Sequence, residues 1–178
     1  MDFAQHWGSQ LDHLWTPWRM AYIRGEKHPS GGCVFCDLAG GEDAHKQVLY
    51  RSQYVYVTLN LYPYNNGHLM VVPYQHIASQ EDLPAEGLTD LMLTVNKSLA
   101  VLRHAYHPPA FNLGANLGPA AGAGIAEHYH FHIVPRWPGD ANFMTVVGST
   151  RVIPDSLENT FAELLASWKI LYPTADES

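Results

Sequence analysis

The chain has 178 residues, 47% of them hydrophobic and 15% charged, a composition that supports one buried core and excludes a disordered protein. Ten Lys and Arg residues against 17 Asp and Glu give a formal net charge of −7, which disfavours binding to the phosphate backbone of DNA or RNA. Because the sequence has no apolar run near the roughly 20 residues that span a bilayer, and no secretory signal at MDFAQHWGSQ, we expect a cytoplasmic protein without membrane partners.

The first third of the chain changes from irregular sequence to strands. Residues 1–32 predict an N-terminal arm, in which tryptophans lie among Pro, Gly and Arg, packed on a domain that spans residues 33–172. Runs of β-branched and aromatic residues then predict three strands: KQVLYR at 46–51, QYVYVTLN at 53–60 and GHLMVVP at 67–73. LYPYNNG, before the third strand, is a turn cluster.

Residues 84–106 predict an amphipathic helix, because apolar residues recur there at spacings of three and four residues: Leu88, Leu91, Met92, Val95, Leu99 and Leu102. FNLGANLG at 111–118, HYHFHIVP at 128–135 and FMTVVG at 143–148 predict further strands, and PAAGAG at 119–124 a loop. Residues 155–171 predict a second helix, and 173–178 a polar tail. Tight turns between neighbouring strands favour an antiparallel sheet with helices packed against it, a single α+β domain.

Three of the 11 histidines alternate with apolar residues in the predicted strand HYHFHIVP. Because successive side chains of a strand point to opposite faces, three imidazoles should line one face while their apolar neighbours enter the core: His128, His130 and His132. Ser, Thr or Lys would serve equally well on a merely polar face, so we interpret the pattern as functional. It fits either paired metal ligands or a nucleophile or general base at the middle position.

A side-chain-poor loop, NLGPAAGAG at 116–124, lies just upstream of the three histidines. Flexible backbone of this kind suits close approach of N–H groups to phosphate oxygens, although a tight connection alone would have the same composition. Beside three aligned imidazoles, the loop favours phosphate chemistry.

The two cysteines, Cys33 and Cys36, form the spacing CVFC, which fits a redox pair, half of a metal site or two unrelated thiols. A redox pair is typical of the start of a helix after a strand, and the Gly-rich LAGGED after CVFC does not favour one here. Two cysteines supply half of a tetrahedral zinc site, so two further ligands would have to come from elsewhere.

The motifs together resemble one family. HYHFHIV fits the H-φ-H-φ-H-φ-φ motif, φ being apolar, of the histidine triad (HIT) superfamily of nucleotide hydrolases and transferases. NLYPYNNGHLMVVPYQHI resembles its ribose-binding segment, and LWTPWRMAYI and HIVPRWPGDANFM resemble the bacterial branch related to diadenosine tetraphosphate phosphorylases and hydrolases. The resemblance covers nearly the whole chain and implies a HIT-like domain with a long central helix and a C-terminal helix. It also implies a homodimer or a higher homo-oligomer.

By position, the resemblance makes His130 the nucleophile that attacks the α-phosphorus and carries a nucleotidyl intermediate. It implies that the following residues contact the small nucleotide substrate: Asn60, His68, Asn116, Gly122, Ala123, Gly124 and His132. Related sequences often carry Ser where this one has Gly124. Since glycine has no hydroxyl, only its backbone amide is expected to contact phosphate there. Where such relatives hold a structural zinc, the matching ligands are Cys33, Cys36, His76 and His128. No organic cofactor is implied.

We therefore expect an enzyme that cleaves dinucleoside polyphosphates such as diadenosine tetraphosphate at the α-phosphate, with phosphate favoured over water as acceptor. The alternatives are a hydrolase of nucleoside phosphoramidates or other nucleotide esters, a non-catalytic nucleotide-binding protein, and a metal-dependent oxygenase or hydrolase. The intact triad with Asn60 and Asn116 favours the enzyme. The last alternative would use His128 and His130 as ligands and needs a further ligand on their face, whereas Glu127 is expected to point away from it.

Overall fold

The computed structural model describes residues 32–40, 47–140 and 155–173. The predicted arm, apart from its last residue, the predicted strand at 143–148 and all but the first residue of the tail lie outside these ranges. In chain order the helices and strands are α1 (Val34–Ala39), β1 (Val48–Arg51), β2 (Val55–Leu59), β3 (Leu69–Pro73), α2 (Ala85–Tyr106), β4 (Ala110–Gly114), β5 (Phe131–Arg136) and α3 (Leu157–Leu171). Single 3-10 turns lie at Gln80–Asp82 and Pro119–Ala121.

The five described strands form one antiparallel sheet in the order β1-β2-β3-β5-β4. Helices α2 and α3 pack against each other, with α2 against β2, β3 and β5 and α3 against β1. The prediction of a single α+β domain with a long central helix and a C-terminal helix is confirmed. Among the described residues, no helix combines the length and the apolar character needed to cross a membrane.

The two faces of the sheet have different environments. Tyr129 and Ile133 are buried in the larger core cluster on the side of α2 and α3, which also contains Leu91, Leu102 and Trp168. A smaller cluster on the other side contains Phe35, Val48, Tyr56, Met70 and Val72, and it is covered by α1. The predicted alternation along HYHFHIVP is therefore confirmed at these positions, since His128 and His130 contact Phe35 on the α1 side.

The strand that carries the histidines begins later than predicted. β5 starts at Phe131, which pairs with Val71, so His128 and His130 lie in the segment just before the strand. The ladder ends here because Pro73 has no N–H to donate, and the amide of Tyr129 donates instead to the carbonyl of Ile77 at 2.6 Å. The predicted strand at 111–118 is also shorter, ending at Gly114.

The long helix matches its predicted span to within one residue, but its buried stripe is displaced around the helix from the predicted one. Leu91, Val95 and Leu102 are buried as expected, whereas Leu88 and Met92 are 37% and 49% exposed. Smaller side chains on the buried face, among them Thr94 and Ser98, allow the helix to lie close to the sheet. The helix ends at Tyr106, before a left-handed His107 and two prolines.

Candidate functional site

His130 lies at the centre of the site and is buried, with 7% of its surface exposed. Its Nδ1 is 2.8 Å from the carbonyl oxygen of His128, so Nδ1 carries the proton and donates it, and Nε2 keeps the lone pair. Burial lowers the pKa of His130, although the hydrogen bond to that carbonyl opposes the shift. The imidazole is thus neutral near pH 7, with a nucleophilic nitrogen of defined tautomer.

A chain of hydrogen bonds sets the tautomer of His132. The amide of Tyr64 donates to Nδ1 of the fully buried His68 at 3.0 Å, so His68 carries its proton on Nε2. That Nε2 lies 2.9 Å from Nδ1 of His132 and donates to it, which leaves the proton of a neutral His132 on Nε2. The outcome is a hydrogen-bond donor at His132 beside a lone pair at His130, whose ring centroid is 4.9 Å away.

Asn60 extends this network from the end of β2. Its Nδ2 lies 3.3 Å from Nδ1 of His68, and its Oδ1 accepts a hydrogen bond from the amide of Tyr62 at 3.0 Å. The structure therefore brings Asn60, His68, His132 and His130 together, as the sequence predicted. The link through the Tyr64 amide was not predicted, because a contact between backbone and an imidazole nitrogen leaves no signal in a sequence.

The loop upstream of the histidines approaches from β4. Gly114 pairs with His132, and continuing that register beyond the strand would bring Asn116 level with His130. Gly122 has a φ of +86°, a conformation that favours glycine, and its amide donates to the carbonyl of Pro119. Ala123 and Gly124 follow as half-buried residues. The amide of Gly122 is therefore already used in a hydrogen bond within the turn.

A second cluster adjoins the site, and it unites the four residues matched to zinc ligands. Donor atoms of Cys33, Cys36, His76 and His128 all lie within 4.8 Å of one another. Sγ of Cys33 is 3.2 Å from Nδ1 of His128, and Sγ of Cys36 is 3.3 Å from Nδ1 of His76. Tetrahedral zinc, with Zn–S near 2.3 Å and Zn–N near 2.05 Å, separates sulfur and nitrogen ligands by ~3.6 Å. The donor set and its spacing therefore fit zinc.

His128 is oriented for ligation by a backbone contact. Its Nε2 donates to the carbonyl of Pro73 at 2.9 Å, which leaves the lone pair on Nδ1, the atom that faces both sulfurs. Burial lowers the pKa of His128 and so favours the neutral, ligating form. The cluster contains His128 and not His130, an arrangement that does not match the alternative in which these two side chains share a metal.

A helix that was not predicted begins at the CVFC segment. Cys33 is the N-cap of α1 and Cys36 lies in its first turn. A redox pair is therefore not disfavoured by the absence of a helix at this point, as the Gly-rich LAGGED had suggested. Two imidazoles lie within 3.6 Å of the thiols, so the contacts themselves favour a metal cluster.

The chain is similar to a known protein family and to several named relatives. A family model described as HIT domain matches residues 42–139. The chain is 42% identical over 166 residues to AP-4-A phosphorylase of Mycobacterium tuberculosis, covering 89% of this chain and 85% of the relative. It is 35% identical over 94 residues to the asymmetrical bis(5'-nucleosyl)-tetraphosphatase of Schizosaccharomyces pombe, covering 53% of this chain and 51% of that one. A zinc-bound histidine triad family protein from Mycobacterium smegmatis superimposes with a TM-score of 0.63 at 26% identity, covering 79% of this chain and 95% of that one.

Proposed function

The chain belongs to the HIT domain family, a family of nucleotide hydrolases and transferases, and we propose that it cleaves dinucleoside polyphosphates at the α-phosphate through a nucleotidyl–His130 intermediate. One observation carries the proposal: the buried His130 donates its Nδ1 proton to the carbonyl of His128, so Nε2 is a neutral nucleophile. The named activities of the phosphorylase and tetraphosphatase relatives support the choice of substrate class.

In the first step Nε2 of His130 attacks the α-phosphorus and the bond to the bridging oxygen breaks, so the remaining polyphosphate leaves with the bonding electron pair. In the second step an oxygen of phosphate or water attacks the same phosphorus, and the nitrogen–phosphorus bond returns its electron pair to Nε2 of His130. Any proton on the attacking oxygen passes to solvent. The proton on Nε2 of His132 offers a hydrogen bond to a phosphoryl oxygen, where negative charge develops.

The other predicted residues take binding roles in this proposal. Asn60 lies at the end of β2, where its amide would contact the ribose hydroxyls and where His68 holds it in place. Asn116 and the backbone amides of Ala123 and Gly124 would receive the phosphate oxygens, since continuing the register would bring Asn116 level with His130. Gly122 would support this loop through its turn, because its own amide already donates to the carbonyl of Pro119.

The first prediction concerns the acceptor. We expect millimolar phosphate to accelerate the loss of diadenosine tetraphosphate and to shift the products from AMP and ATP to ADP and ATP. The reason is that phosphate, once bound, resolves the nucleotidyl adduct in place of water. Chromatographic analysis of the products with and without phosphate measures this shift, and sulfate at equal ionic strength controls for salt.

Two other results would change the proposed function. AMP and ATP persisting at millimolar phosphate would make the protein a hydrolase. Nucleotide binding without turnover under either condition would instead favour the non-catalytic alternative.

We also propose that the four-residue cluster holds one structural zinc. Bound there, the ion would cross-link α1, the segment after β3 and the start of the histidine segment. Two imidazoles and two cysteine thiolates are donor types that zinc selects.

We further propose that the chain forms a homodimer through the β4 edge of the sheet. Among the described strands, β4 lies at one edge, and its Leu113 is 47% exposed. An edge of this kind offers unpaired backbone groups to a second copy. We expect sedimentation velocity to show a dimer that Leu113→Lys converts to monomer. The matched control is Ile170→Lys on the exposed side of α3, which should leave the dimer intact. A monomeric wild type, or a dimeric Leu113→Lys variant, would contradict this assembly.

A further inference from the structure

The helix that carries CVFC places an aromatic ring directly against the proposed nucleophile. Phe35, 3% exposed, has its ring centroid 4.9 Å from that of His130 and 5.4 Å from that of His128. We propose that Phe35 is a positioning residue that fixes the His130 imidazole for attack on phosphorus. This inference rests on the proposed role of His130.

The contacts of His130 show why it needs such a neighbour. Its described hydrogen bond holds one ring atom, Nδ1, and a single bond of this kind permits the ring to tilt about that contact. Phe35 packs against the ring at an interplanar angle of 40°, and the imidazole of His132 meets it edge-on at 78°. Together the two neighbours limit that tilt, and their bulk contributes to the low exposure of His130.

The position of Phe35 is itself held by polar contacts from the sheet. The hydroxyl of Tyr56 donates to the carbonyl of Phe35 at 2.7 Å. Arg51 donates to the carbonyls of Ala39 and Leu38 at the end of α1, at 2.7 and 3.2 Å. A helix of six residues is too short to be stable alone, so these contacts, together with packing in the smaller core cluster, keep the ring in place.

The chain offers a matched control for a purely structural role of Phe35. Leu38 lies on the same helix and packs against the same core cluster, but it has no ring to set against His130. Leu38→Ala therefore loosens α1 without removing the aromatic contact. Phe35→Leu removes the ring and keeps most of its bulk, and Phe35→Tyr restores the ring.

The experiment measures kcat, KM, AMP binding, zinc content and thermal midpoint for the wild type and the three variants, with diadenosine tetraphosphate as substrate. We expect Phe35→Leu to lower kcat about 10- to 100-fold, since small misplacements of a reacting group have effects of this size. KM, AMP binding and zinc content should stay close to wild type. Phe35→Tyr should recover most of kcat, and Leu38→Ala should lower the thermal midpoint while keeping kcat.

Other outcomes separate this inference from the proposed function. A wild type that turns over normally, with Phe35→Leu at the same kcat or Leu38→Ala equally impaired, overturns the role of Phe35 alone. A loss of kcat in Phe35→Leu that merely follows its loss of zinc also overturns it. A wild type without turnover overturns the proposed function, and the role of Phe35 with it.

Discussion

His130→Ala is expected to lower turnover of diadenosine tetraphosphate by at least ~10³-fold, because the covalent step loses its nucleophile. The binding constant for AMP should change little, since Asn60, His68 and His132 keep their own contacts. Steady-state kinetics and calorimetric titration with AMP measure the two effects separately.

Asn60→Ala is the matched control for this prediction. Its side chain meets His68 and the amide of Tyr62 rather than His130, so we expect it to raise KM more than it lowers kcat. Wild-type rates in His130→Ala would show that the nucleophile has been assigned to the wrong residue.

Replacing Cys33 and Cys36 together by serine should abolish zinc binding and lower the stability of the domain. Elemental analysis of the purified wild type, prepared without chelators, should give about one zinc per chain. Because a structural zinc contributes its binding free energy to folding, we expect a loss on the order of 3 kcal/mol or more, which corresponds to roughly 6–12 °C in thermal midpoint. Differential scanning calorimetry measures the shift.

A chelator provides the control for the cysteine substitutions. It should lower the thermal midpoint of the wild type to that of the double variant and leave the double variant unchanged. A wild type that holds no zinc, or a double variant that retains it, would show that the Cys33, Cys36, His76 and His128 cluster is not a zinc site.

The fold was predictable wherever local pattern and packing agree. The helix at 84–106 has a strong apolar period, and the structure places α2 at Ala85–Tyr106. The alternation in HYHFHIVP correctly separated the imidazoles from Tyr129 and Ile133. The predicted start of β5 was too early, because pairing between β3 and β5 stops before Pro73, a residue of the partner strand that has no N–H to donate. Helix α1 was missed because six residues carry no measurable period, and Arg51 and Tyr56 hold it from elsewhere in the chain.

The residues of the candidate site could be predicted from the sequence, but the hydrogen bonds between them could not. Resemblance to the family identified the four cluster residues, and the structure brings their donor atoms together. The tautomers of His130 and His132 depend on hydrogen bonds to the carbonyl of His128 and the amide of Tyr64, which only a folded chain supplies. The contact of Phe35 with His130 was not predicted, because the two residues are 95 positions apart in the sequence. The domain boundaries, the cytoplasmic location and the packing of the N-terminal arm on the domain stay predictions.

Mass spectrometry of the protein quenched during turnover tests the central claim most directly. Peptide mapping after incubation with diadenosine tetraphosphate should find an AMP group on the peptide that contains His130, and the same peptide of His130→Ala should carry none. Quenching under alkaline conditions preserves a nitrogen–phosphorus bond to imidazole. An adduct on a different residue, or turnover that proceeds in His130→Ala at the wild-type rate without any adduct, would contradict the account.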